Sequence, residues 1–125
     1  MKKLAVATTL TVFGLIVYGV AAYAQPAKVD PVKVDPKHYK VQFENESVRV
    51  LAISYAPGEK SVMHYHPNSV VVFVTDAKTR MTTPDGKSEV NAGKAGDALW
   101  TPAGNHLPQS MDDKPFRAVL VEMKK

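Results

Sequence analysis

From Tyr39 onward, apolar and polar residues alternate in short runs, and nowhere does the chain keep a helical period for three turns. Tyr39-Lys40-Val41-Gln42-Phe43 alternates, Glu44-Asn45-Glu46 reads as a turn, and Val48–Tyr55 is a longer strand closed by Pro57-Gly58. A short strand around His64 and His66 ends at Pro67-Asn68. Val70-Val71-Val72-Phe73-Val74-Thr75 follows as a mostly β-branched run expected to be buried on both faces. Thr79-Arg80-Met81-Thr82-Thr83 leads through Pro84-Asp85-Gly86 into Lys87-Ser88-Glu89-Val90, a hairpin signal because glycine accepts positive φ at the turn. Residues 97–101 and 116–123 supply two further strands. Many short strands at about 8–12-residue spacing predict an all-β sandwich or closed barrel.

The residues before Tyr39 break this pattern. Met1-Lys2-Lys3 is positive, residues 4–20 are uncharged and mostly apolar, and Ala22-Tyr23-Ala24 has the small-x-small form that signal peptidase reads. Residues 1–24 are therefore expected to be a signal peptide cleaved after Ala24. The alternative is a retained membrane anchor, since a spanning helix needs about 20 apolar residues. Either delivers the domain outside the cytoplasm, to the periplasm or the medium. Residues 25–38 carry Lys28-Val29-Asp30-Pro31 and then Lys33-Val34-Asp35-Pro36, a proline-rich repeat expected to form an extended linker, with His38 solvated at its end. Residues 39–125 are then one small domain.

Charge and cysteine content narrow the class. The formal net charge of +4 includes Lys2 and Lys3, and no run of Lys or Arg interleaved with aromatics is present to track a phosphate backbone, so a nucleic-acid partner is not expected. The chain has no cysteine, so core packing, a metal or self-association must stabilise it.

Chemistry is concentrated in three histidines. In an extended strand His64 and His66 project to one side, about 6–7 Å apart at the backbone, and can converge on one ion. Tyr65 faces the other way. His106 follows Pro102-Ala103-Gly104-Asn105 and can be brought to the same place. Neutral imidazoles suit transition metals, whereas Mg or Ca would need oxygen ligands. The competing reading is a metal-free pocket. Asn68, Gln109 and Trp100 are candidate ligand-binding residues, although turn chemistry and barrel packing account for them about as well. Glu59, in the turn before the histidine strand, reads as a surface charge, leaving no convincing general acid or base.

Gly58 is followed by five residues and His64-Tyr65-His66, and Gly96 by five residues and Pro102-Ala103-Gly104. Both half-motifs resemble those of the cupin superfamily, in the family's order, and the resemblance extends over about residues 39–124. It implies a single-domain cupin β-barrel, a jelly roll or double-stranded β-helix of the small cupin type-2 kind. The family's motif-one glutamate would fall at position 70 or 71, and both are valine; His106 comes one position early. The implied site is thus His64, His66 and His106 without a carboxylate, holding a divalent transition metal (Zn, Fe, Mn, Ni or Cu) that favours a small, anionic organic ligand. Family members of this kind imply a metal-dependent dioxygenase or isomerase; the alternatives are a non-catalytic ligand- or metal-binding module, or an interaction protein with a decayed site. The resemblance also implies a homodimer, joined through edge strands or a strand swapped from the linker.

Overall fold

The computed structural model describes residue 19 and residues 24–125; the expected signal peptide otherwise lies outside the described residues. Among them, no helix is long and apolar enough to cross a membrane. Nine strands follow one four-residue helix, α1 (Pro31–Val34): β1 (Tyr39–Glu44), β2 (Val48–Tyr55), β3 (His64–His66), β4 (Ser69–Phe73), β5 (Ala77–Thr82), β6 (Ser88–Gly93), β7 (Ala98–Thr101), β8 (Gly104–Ser110) and β9 (Phe116–Met123). They form two antiparallel sheets, ordered β1-β2-β9-β4-β7 and β3-β8-β5-β6. This is the all-β double-stranded architecture expected. Gly58 and Gly96 take φ of 72° and 91°, a left-handed backbone that explains glycine at the start of each half-motif.

The core lies on the inner face of the larger sheet, where Tyr39, Leu51, Tyr55, Phe116 and Leu120 pack together with Ala77 of the smaller one. Strand alternation places them: Phe116, Ala118, Leu120 and Glu122 are the buried positions of β9. Burying a side chain such as Leu51, which is fully enclosed, contributes roughly 2 kcal/mol. The Tyr39 and Tyr55 hydroxyls satisfy each other at 2.8 Å.

Three expectations change. Residues 70–73 of the valine run are only half-buried and Val74 is exposed: Val71 and Phe73 face inward onto a cavity, while Val70 and Val72 face the outer side, which no other described strand covers. Gly104–Ser110 is a full strand that its glycine and proline conceal. Pro108 is tolerated because its carbonyl, which accepts from Ser61 N–H at 2.9 Å, faces the segment before β3, where only the isolated Lys60–Gln109 bridge continues the pairing.

The third change concerns residues 25–38. They do not form an extended spacer throughout: Asp30 caps α1 by accepting from Val32 N–H, and Pro31 occupies the first helical turn, where its missing N–H costs nothing. The arm is fastened to the barrel. Tyr65 N–H donates to Val29 O at 2.8 Å, Val32 packs on the core, and α1 lies against β1 and β3. His38 is buried rather than solvated, stacked on Tyr55 with ring centroids 4.1 Å apart.

Candidate metal centre

The extended backbone of β3 turns His64 and His66 inward, and the β3–β8 register sets His106 directly opposite His64. The three ring centroids lie 4.8–5.1 Å apart, and one nitrogen from each ring falls within 4.8 Å of the others. His64 and His66 are almost wholly buried. Tyr65 points away, as its place between them requires, with the Lys28 ammonium 4.9 Å from its ring centre.

Hydrogen bonds fix which nitrogens are free. His64 Nδ1 lies 2.7 Å from Val62 O, an atom that can only accept, so Nδ1 carries the proton and Nε2 the lone pair. His66 Nδ1 donates to Glu122 Oε1 at 2.6 Å, with the same consequence. Nε2 of His64 and of His106 are buried with no hydrogen-bond partner. Buried nitrogens are rarely left unpaired, and these two face one another in a cluster of neutral donors.

Electrostatics keep His64 and His106 neutral. Burial, reinforced by His66, lowers His64 to about 4, and burial with both neighbouring histidines lowers His106 to about 3. Burial alone would raise Glu122, but hydrogen bonds from His66 and Arg49 outweigh it and hold this carboxyl below its ordinary value. Arg49 Nε reaches Glu122 Oε2 at 2.6 Å, and its two terminal nitrogens grip Asp30 at 3.0 and 3.1 Å. A carboxylate does serve this site, therefore, but from β9 rather than position 70 or 71, and through a histidine. Three imidazole nitrogens without a hard oxygen donor fit a divalent transition ion, and the two unpartnered Nε2 atoms leave room for one to complete their coordination.

Beside the histidines is a cavity of about 590 Å³. Ile53, Val71, Phe73, Met81 and Leu99 contribute to its wall, with His66 and His106 on one side; among the described residues no Lys or Arg lines it. Trp100 lies at its rim, but its register opposite Val70 sets its side chain in the outward row of the larger sheet, 59% exposed. Asn68 and Gln109 do not line it: Asn68 Oδ1 accepts from Ala103 N–H at 2.8 Å and braces the turn before β8, while Gln109 falls between the inward positions Pro108 and Ser110. Glu59 is also more than a surface charge. It accepts from Ala56 N–H and His38 Nε2 and pairs with Lys37, contacts that lower it to about 2.

Arg49, Glu122, Asp30, Asp35 and Ser61 were not among the sequence candidates. Glu122 and Arg49 had a readable signal, being charged residues in phase with the buried positions of β9 and β2. Asp30 had one in the Asp-Pro step that begins a short helix, whereas Asp35 closes that helix.

No family model and no curated protein matches the chain. Solved structures do. A cupin domain from Bordetella pertussis Tohama I is 30% identical, with a TM-score of 0.65 over 70% of this chain and 92% of that one. A conserved protein with a double-stranded β-helix domain from Klebsiella pneumoniae subsp. pneumoniae MGH 78578 is 23% identical, TM-score 0.55, over 68% and 74%. An RmlC-like cupin from Methanocaldococcus jannaschii is 19% identical, TM-score 0.54, over 71% and 83%. With the two half-motifs on their turns, the two-sheet topology and a relative this similar along nearly its whole length, the chain belongs to the cupin superfamily.

Proposed function

We propose that this protein binds one divalent transition-metal ion through His64, His66 and His106 and admits to the adjoining cavity a small acid with an apolar body. The observation that carries the reading is the pair of buried, unpartnered Nε2 atoms on His64 and His106. The predominantly apolar wall supports the apolar body. Because no Lys or Arg among the described residues lines the cavity, a ligand's negative charge would be met by the ion, which retains its full charge on three neutral ligands.

Once bound, such an ion supplies Lewis-acid polarisation of the ligand and, if it is redox-active, reaction with O₂, the chemistry of a dioxygenase or isomerase. The chain's own residues hold and shield it. Burial pushes Tyr55 up to about 12 and also raises Tyr39 well above its ordinary value, so both hydroxyls stay protonated at neutral pH and neither serves as a base. Glu89, the one carboxylate on the cavity wall among the described residues, is exposed. A binding module without turnover has the same residues, and ligand retention without consumption of O₂ distinguishes it.

Metal analysis of protein purified without a histidine tag or chelator tests the site. Near-stoichiometric metal, lost in His106→Ala, is expected; substoichiometric metal unchanged by the substitution would refute it.

Export to the periplasm or medium is part of this reading, supported by the leader pattern in residues 1–24. So is a homodimer, through the outer face of the larger sheet rather than a swapped strand. The strand registers align Phe43, Val50, Val121, Val70 and Trp100 in one apolar row across all five strands, with Phe43 and Trp100 more than half exposed. Light scattering should give twice the monomer mass at micromolar concentration and a monomer for Trp100→Asp. Monomeric wild-type protein would contradict the dimer.

A further inference from the structure

Each copy of the Lys-Val-Asp-Pro repeat carries an aspartate that turns toward the histidine cluster. The first, Asp30, holds the Arg49 guanidinium with both carboxylate oxygens; Arg49 Nε then donates to Glu122, and Glu122 accepts from His66 Nδ1. Every link in this line is 3.1 Å or shorter. The second, Asp35, accepts the Ser61 hydroxyl at 2.5 Å and His38 Nδ1 at 2.7 Å. With its proton committed to Asp35, Ser61 Oγ presents a lone pair to His64 Nδ1 at 3.4 Å, a weaker supplement to the bond that His64 makes with Val62 O. His38 is itself held from behind by Glu59. Asp35, Ser61 and Glu122 are all buried.

Resting on the metal-site reading above, we infer that Asp30 and Asp35 are positioning residues for the metal centre, Asp30 acting on His66 through Arg49 and Glu122, and Asp35 on His64 through Ser61. The amino-terminal arm is thus a working part of the site. Groups that accept the second N–H of a ligating histidine fix its ring and raise its basicity, and losing them typically weakens metal binding by about 10–100-fold. The two branches differ in strength. The Asp30 branch is continuous to its histidine, whereas the Asp35 branch ends in a 3.4 Å contact, so Asp30 carries the larger effect.

The test titrates Co(II) into the full purified protein against a competing chelator, reading both affinity and the visible ligand-field bands, which report ligand geometry rather than stability. Asp30→Asn keeps a good helix cap while removing the charge that grips Arg49. Asp35→Asn does the same for Ser61. Val32→Ala is the control, since Val32 packs the arm onto the core without joining either branch. Expected are a tenfold or greater loss of Co(II) affinity with altered bands for Asp30→Asn, a smaller change for Asp35→Asn, and wild-type affinity and bands for Val32→Ala. Wild-type affinity and bands in both aspartate variants would overturn the inference alone, as would a loss in Val32→Ala equal to that in Asp30→Asn. If the wild-type protein takes up no Co(II), the metal-site reading falls and this inference with it.

Discussion

Stripped of metal, the protein should lose of order 5 kcal/mol of stability between pH 6.5 and pH 4, enough to unfold a domain of ordinary stability. The sign follows from His64 and His106, lowered to about 4 and about 3 in the fold. Unfolded, both take up protons near pH 6.5; folded, both resist until much lower pH. Below pH 6.5 the unfolded chain therefore binds more protons, at a cost to the fold of about 1.4 kcal/mol per proton per pH unit. The carboxylates act later and in the same direction. Asp30, Asp35 and Glu122 are held below their ordinary values against the opposing effect of burial, so their contribution is lost only as the pH falls below the usual carboxylate range. Urea titrations at pH 7.5, 6, 5 and 4 should show the midpoint falling from the first step, with saturating zinc delaying the fall because bound imidazole must release the ion before it protonates. A metal-free midpoint that is flat from pH 6.5 to 4.5 would contradict the burial argument.

Glu122→Ala should be the most damaging single change outside the hydrophobic core, at about 3–5 kcal/mol, because it removes one partner of a buried ionic network and leaves the rest unmatched. Glu122 is 2% exposed and accepts from both His66 and Arg49. Without it Arg49 keeps Asp30 but loses its inner contact, and His66 loses the group that fixes its tautomer. Glu122→Gln keeps the shape and one acceptor oxygen, so it should cost clearly less. Denaturant midpoints of the two metal-free variants, measured at unchanged slope, give the comparison; equal and small losses would show that the ion pairs contribute little.

The two histidines one residue apart, and the glycines opening each half-motif, were legible in the sequence because a strand has a period of two and a left-handed turn tolerates few residues besides glycine. The strand around His106 was harder to read. Gly104 and Pro108 are turn formers by propensity, and pairing with β5 on one side and β3 on the other overrides that preference. The missing glutamate shows a different limit. Its absence at positions 70 and 71 was plain, but Glu122 reaches His66 from a strand 56 residues away, a relation that only the sheet order creates. Asp30 and Asp35 looked like parts of a spacer because proline spacing describes the local backbone and is silent about what a capping side chain reaches.

The strand bearing His64 and His66 is only three residues long and stands at the margin of its sheet, paired with β8 alone. On its open side the Tyr65 N–H is taken by Val29 O, with α1 lying alongside. The arm thus substitutes for a neighbouring strand, closing a hydrogen-bonding flank that another polypeptide would otherwise be free to occupy. A chain shortened to begin at Tyr39 would bare that flank beside two of the three histidines and invite self-adhesion there. The stretch whose aspartates reach toward the histidine cluster is also what closes this edge to another chain.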